Sequence, residues 1–307
     1  MLAKGVQQFE IQQEGLQAFL TSYGDSRWVL MFYDDKDRSD PELAEAIRQA
    51  LGQDLPFEIL TKGRWQLAGL IARHYQQGRV FLAGDAAHQL PPTRGGFGAN
   101  TGIEDAFNLC WKLAWVLKGH SAETLLDSYD AERQPIGWLR YQQTFVRPDY
   151  AKHLKGQALD CPVLSDQAME FGQLHRSGAV LGAGAELPAA RHPSHWAGQP
   201  GVRAPHLWLA QGQSSLDWFG DGFVLVAKDE RWRDIAATVA LRLGLPLPCV
   251  GTELDLPTQE RLGEAFGIDS GAALVRPDGI VAWRVPQMPA DAVRVLGQAW
   301  AQAASLH

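Results

Sequence analysis

Residues 78–119 read GRVFLAGDAAHQLPPTRGGFGANTGIEDAFNLCWKLAWVLKG, and the rest of the chain is interpreted outward from them. The run Val80-Phe81-Leu82-Ala83 predicts a short buried strand, closed by Gly84-Asp85. A loop rich in Pro and Gly follows, from Pro91 to Gly98. From about Thr101 to Lys118 the apolar spacing predicts a long amphipathic helix, capped by Asn100 or Thr101 and ended by Gly119. Ile103, Ala106, Phe107, Cys110, Leu113, Ala114 and Leu117 recur at 3-4 spacing and are expected to form its buried stripe. A strand, an acidic residue at its end, a Gly-rich loop and a helix start together describe a cofactor cradle.

The cradle residues have chemical roles open to them. Asp85, next to Gly84, can accept hydrogen bonds from sugar-type hydroxyls, with the glycine letting a ligand approach the backbone; equally, it can cap the following turn. Gly95, Gly96 and Gly98 would present unobstructed N–H groups at the helix start. The helix dipole adds ~0.3–1 kcal/mol for an exposed anion and up to ~2 kcal/mol for a partly buried one. That suits a group developing negative charge, such as the N1–C2=O edge of a reduced flavin, although a Gly-rich turn can also simply join two elements. Pro91-Pro92 stiffens the approach and leaves its carbonyls free to accept. The dinucleotide fingerprint G-x-G-x-x-G follows no strand. Gly182-Ala183-Gly184-Ala185-Glu186-Leu187 lacks the third glycine, and Pro188 comes where a helix should be established. His192 and His195 have no supporting cluster of Cys or carboxylate and are read as a solvated loop, so no metal site is expected. No side chain is assigned as catalytic.

On the N-terminal side, Arg27–Tyr33 predicts a strand, and Asp40-Pro41 opens a helix that runs to about Leu51 and stops at Gly52. Phe57–Leu60 and Arg64–Leu67 are expected as further strands. Trp28, Met31 and Phe32 either line a pocket or pack a core. On the C-terminal side a second helix begins near Ser121 and carries SYDAERQP, where Pro135 is expected to bend or interrupt it. Residues 147–204 are rich in Gly, Ala and Pro and read as a long connection. Beyond them come a strand Gly222–Ala227, a helix Arg231–Leu243, a short strand Cys249–Glu253, and a hairpin of Ala272–Arg276 with Ile280–Arg284. The closing helix is Ala290–Ala303. This order predicts a small α/β domain with a mixed sheet, within a chain that is α/β, mixed with α+β.

Composition sets the outer limits. At 307 residues the length suits about two domains, and 46% hydrophobic with 21% charged residues is ordinary for a globular protein. The net charge of −7 argues against nucleic acid or an anionic membrane as partner. No apolar stretch approaches the ~20 residues of a membrane span. The N-terminus lacks the apolar core of a secretory signal, and the three scattered cysteines read as reduced thiols, so a cytoplasmic protein is expected. Eleven tryptophans read as core and loop anchors, with an aromatic-ligand pocket as the alternative.

The stretch Gly84-Asp85-Ala86-Ala87-His88, followed by PPTRGGFGANTGIEDAFNLCWKLA, resembles the class A FAD-dependent aromatic hydroxylases, in particular the polyketide and phenol hydroxylase branch. The resemblance implies a partial FAD/NAD(P)-binding hydroxylase core with a C-terminal thioredoxin-like domain. It implies that Gly84 and Asp85 contact the ribityl and pyrophosphate region of FAD. Pro92, Gly95, Gly96, Gly98, Ala99 and Asn100 would lie against the isoalloxazine, and Asp105, Asn108, Trp111 and Lys112 would be structural. Tyr129-Asp130-Ala131-Glu132-Arg133 with Pro135 matches the family's next motif. Residues 1–77 would be the remnant of a substrate-binding sheet domain and 78–146 the C-terminal part of the FAD domain. Residues 147–204 would be a linker and 205–307 the thioredoxin-like domain, without C-x-x-C.

By that resemblance the implied activity is that of a bacterial, NAD(P)H-dependent monooxygenase. It would use O2 and a flavin C4a-hydroperoxide to hydroxylate a small phenolic or polyketide substrate. Self-association is left open. The family's GxGxxG strand–helix and its middle DG motif have no match, so the chain resembles roughly the C-terminal 60% of a member. The alternative expectation is a non-catalytic remnant, or a half-protein that needs an N-terminal partner to bind FAD.

Overall fold

A computed structural model describes residues 7–23, 25–64, 68–91, 96–151, 159, 161–209 and 212–307. The chain divides into two compact units, residues 1–65 and 66–307, and each is described by itself.

The first unit is a three-stranded antiparallel sheet in the order β1 (Gln8–Gln13), β2 (Leu16–Tyr23), β3 (Arg27–Phe32), with one helix, α1 (Asp40–Leu51). Alternation places Leu16, Ala18 and Leu20 of β2 on one face, where they pack with Ile11 and with Ala46 of α1. The helix has both expected ends. The Glu42 carboxylate accepts the N–H and hydroxyl of Ser39, and Gly52 closes the last turn at φ +66°. On β3, Trp28 and Phe32 stand opposite Ser22 and Ala18, whereas Met31 stands opposite Phe19 on the other face, so the three cannot line one surface. The strand expected at Phe57–Leu60 is irregular backbone. Of Arg64–Leu67, only Arg64 lies within the described residues, and it too is irregular.

The second unit begins with four two-residue strands: β4 (Leu70–Ile71), β5 (Gln76–Gln77), β6 (Val80–Phe81) and β7 (His88–Gln89). They pair as β4–β7 and β5–β6, both antiparallel. The strand expected over Val80–Ala83 is thus shorter than its apolar run, and Val80 is 65% exposed rather than buried. Helix α2 (Phe97–Leu117) starts four residues earlier than expected, on the left-handed Gly96, so Asn100 and Thr101 lie inside it and cap nothing. Helix α3 (Asp127–Phe145) is continuous through Pro135, contrary to the expected interruption, and a single 3₁₀ turn at Glu123–Leu126 precedes it. Short helices α4 (Pro148–Ala151) and α5 (Asp166–Phe171) follow.

The C-terminal sheet is formed by β8 (Val224–Ala227), β9 (Cys249–Val250), β10 (Ala272–Val275) and β11 (Val281–Val285). Its spatial order is β11-β10-β8-β9, with β8 and β9 parallel and the other pairs antiparallel. Helices α6 (Arg231–Leu243), α7 (Leu256–Phe266) and α8 (Ala292–Ala303) cover it. Trp232, Val239, Leu296 and Trp300 from α6 and α8 pack with Leu225 and Leu274, while Leu262 and Phe266 of α7 pack with Val226 and Val275. The βαβαββα order and this strand sequence make the domain a small α/β unit with a mixed sheet, as expected. Helix α7 is an addition to the sequence reading. Its signals were nevertheless present: Asp255 accepts the Thr258 N–H at 2.7 Å, Pro257 sits in the first turn, and Gly267 ends the helix at φ +63°.

Candidate flavin site

The cradle is built from the turn between β6 and β7 and the start of α2. Gly84–Ala86 forms a 3₁₀ turn with Gly84 at φ +57°, closed by the Ala87 N–H on the Gly84 carbonyl at 2.8 Å. Backbone bonds hold both approaches: the Leu82 N–H to the Tyr75 carbonyl and the Ala72 N–H to the Ala87 carbonyl, each at 2.8 Å. The Tyr129 hydroxyl donates to the Leu82 carbonyl at 2.6 Å. Asp85 is presented at the top of this turn. Its carboxylate is exposed and makes no hydrogen bond or ion pair with any described residue, so it does not cap the turn.

The helix supplies the second element. With Gly96 as its cap and the first intrahelical bond running from the Asn100 N–H to the Gly96 carbonyl at 3.1 Å, the N–H groups of Phe97, Gly98 and Ala99 have no acceptor in the helix. Phe97 is fully buried and anchors the start, with the Arg140 guanidinium 4.9 Å from its ring centre. The Asn100 amide donates to Glu170 at 3.3 Å. Gly84, Asp85, Gly96, Gly98, Ala99 and Asn100 therefore lie on these two elements, and Pro92 and Gly95 fall outside the described residues.

The turn and the helix touch directly. A side chain at Gly102 would place its Cβ 3.0 Å from the Gly84 Cα, so any larger residue requires the turn to move off the helix by a few tenths of an ångström. One α2 turn further on, buried Asp105 accepts the Gly84 N–H at 3.1 Å and lies 2.8 Å from His88 Nε2, while Arg133 Nε donates to its other oxygen at 2.8 Å. Burial raises the carboxyl's pKa, but the His88 hydrogen bond and the Arg133 charge more than reverse this and leave it below its ordinary value.

Helix α2 buries a polar stripe, not the apolar one expected. Thr101, Asp105, Asn108 and Lys112 face inward, whereas Ile103, Phe107 and Leu117 are 69%, 50% and 83% exposed, with Ala106 and Cys110 also exposed. The inward stripe meets α3. Glu132 accepts Asn108 Nδ2 at 2.8 Å, Lys112 Nζ at 3.0 Å, Ser177 Oγ at 2.6 Å, and both Arg276 Nη atoms at 2.6 and 2.8 Å. Burial raises the Glu132 pKa, yet the Arg276 and Lys112 charges hold it well below the carboxylate range. Burial lowers Lys112 to about 8. Arg276 also binds Asp278, the residue expected in the hairpin turn. At the other end of α2, Trp111 and Trp115 pack edge-on against Phe223 of the C-terminal core.

A cleft of about 400 Å³ lies along α2, with Ile103, Phe107, Phe171, Arg203 and Ile280 in its wall; neither the Gly84–Asp85 turn nor Gly96–Asn100 lines it. Among the described residues no group of three or more His, Cys, Asp or Glu could hold a metal, and no helix is long and apolar enough to cross a membrane.

This architecture agrees with known proteins. Residues 23–144 match the FAD binding domain family, and residues 197–304 match the family described as aromatic-ring hydroxylase, C-terminal. Tetracenomycin A2 monooxygenase-dioxygenase of Streptomyces glaucescens is 39% identical across 94% of this chain and 54% of its own length. For 4-methyl-5-nitrocatechol 5-monooxygenase of a Burkholderia species the figures are 41%, 80% and 48%. The crystal structure of a ternary complex of aklavinone-11 hydroxylase with FAD and aklavinone superposes with a TM-score of 0.85 at 31% identity, over 96% of this chain and 58% of that one. The chain belongs to the FAD-dependent aromatic-ring hydroxylases. It spans about half the length of the curated relatives it matches.

Proposed function

We propose that this chain holds the ribityl–isoalloxazine side of FAD and serves a monooxygenase that hydroxylates a small phenolic or polyketide ring with NAD(P)H and O2. The observation that carries the reading is Asp85: an exposed carboxylate with no partner among the described residues, on a turn in contact with the first turns of a 21-residue helix. In this reading Asp85 accepts ribityl hydroxyls, and Gly84 gives them access to the backbone. Pro92, Gly95, Gly96, Gly98, Ala99 and Asn100 border the isoalloxazine, and the first-turn N–H groups and dipole of α2 favour negative charge on the ring edge. Bound FAD, reduced by NAD(P)H, supplies the oxygen chemistry, and the protein supplies orientation and electrostatics. The fit rests on donor type as well as place, since a carboxylate suits hydroxyls and bare N–H groups suit an anionic edge.

The same reading assigns residues 1–77 to a substrate-sheet remnant, 78–146 to the FAD domain and 147–204 to a connection. Residues 205–307 become a thioredoxin-like domain with a structural role, and the location cytoplasmic. In the test, FAD is titrated into the chain by flavin fluorescence and NADPH oxidation is followed with and without a phenol. Saturable binding and phenol-stimulated oxidation are expected; colourless protein with no flavin affinity contradicts the reading.

One observation favours a second reading, in which another polypeptide covers α2: the side chains of Ile103, Phe107 and Leu117 are exposed on it. Tight FAD binding by the chain alone counts against it.

A further inference from the structure

We propose that Asp105 is the positioning residue of the flavin-facing turn, fixing the direction in which Asp85 is presented, and that Arg133 orients Asp105 for this task. The inference rests on the flavin reading of Asp85. Asp85 lies within the five-residue segment Gly84–His88, and one carboxylate oxygen of Asp105 binds both ends of it: the Gly84 N–H at 3.1 Å and His88 Nε2 at 2.8 Å. The Gly84 contact holds the Ala83–Gly84 peptide group, on the N-terminal side of the residue before Asp85, and the left-handed φ of +57° at Gly84 sets the direction of the chain from there. Gly102 and Asp105, three residues apart on one helix face, thus place the turn on α2 by shape and by hydrogen bond together.

Arg133 completes the arrangement. It donates to Asp105 Oδ1 at 2.8 Å, to the Thr101 carbonyl at 3.2 Å and to Glu104 at 3.1 Å, which ties the carboxylate's rotamer to the first turns of α2. Its Nη1 also meets His175 Nε2 at 3.3 Å. Asp105, His88 and Arg133 are all at most 1% exposed, so no water can replace a lost partner cheaply. An asparagine at 105 has one acceptor oxygen and an amide that opposes either Arg133 or the Gly84 N–H. It therefore fills the space while releasing one side of the bridge.

The test measures backbone amide exchange over residues 84–89 and FAD affinity in the full chain, for wild type, D105N, H88A and W300F. Trp300 lies in the core of the C-terminal sheet, and W300F controls for a general loss of stability. D105N and H88A are expected to exchange at 84–89 at least tenfold faster and to bind FAD at least tenfold more weakly. W300F should lower the melting temperature with exchange at 84–89 and FAD affinity unchanged. Wild-type FAD binding with D105N indistinguishable from wild type or from W300F overturns the positioning role and leaves the flavin reading intact. Absence of FAD binding by the wild type overturns the flavin reading, and this proposal with it.

Discussion

Two aspartates twenty residues apart do opposite things. Asp85 is exposed and has no partner among the described residues, so Asp85→Ala is expected to leave thermal stability within about 0.5 kcal/mol of wild type while weakening FAD binding at least tenfold. A melting curve and a fluorescence titration read the two effects separately. At Gly102 the cost is steric: Gly102→Ala brings a Cβ to 3.0 Å from backbone, and a loss of about 1–3 kcal/mol in denaturant stability is expected, with FAD affinity falling in parallel. His175 gives a pH dependence. Burial lowers it to about 4, with Nδ1 donating to the Gly201 carbonyl and Nε2 accepting from Arg133. The unfolded chain takes up this proton near its ordinary value of about 6.5, whereas the folded chain resists it, so stability is present above that pH and declines as pH falls toward 4. The loss is on the order of 1–3 kcal/mol, and His175→Asn should flatten melting temperature against pH in that window.

Helix α2 shows at the level of one element what patterning reveals and what it misses. The helix and its Gly119 stop were legible, as were α1 with its Gly52 stop and the hairpin across Pro277-Asp278-Gly279, because local caps and turn residues determine them. The buried face of α2 was not legible. Its inward residues Asp105, Asn108 and Lys112 are polar, and their partners Arg133, Glu132 and Asp278 lie up to 170 positions away, beyond the reach of a periodicity that counts apolar residues. The turn at Gly84-Asp85 was legible in place, and Gly96 of the expected glycines opens the helix. The supports of the turn, Gly102 and Asp105, were visible only as parts of the helix. Glu132 gathers five hydrogen bonds from α2, Ser177 and Arg276, so Glu132→Ala takes the ion-pair partner from buried Lys112 and leaves buried Arg276 with Asp278 alone. A loss of about 3–5 kcal/mol in denaturant unfolding is expected, well beyond that of an exposed carboxylate such as Glu123.

At the scale of the molecule, α2 joins the Gly84–Ala86 turn to the C-terminal α/β domain. The cradle occupies its first turns, a buried ionic cluster its middle, and Trp111 and Trp115 set its end into the C-terminal core. That domain has no C-x-x-C. Its one cysteine, Cys249, is raised by burial to about 11, and Arg276 and Asp278 bind Glu132 and Asn108 of the neighbouring helices. In the proposed function these elements hold a flavin through Asp85. The most direct measurement is a fluorescence titration of FAD into the wild-type chain and into D85A. Saturable binding that D85A weakens at least tenfold is the predicted result; no binding, or equal affinity in the two proteins, would contradict it.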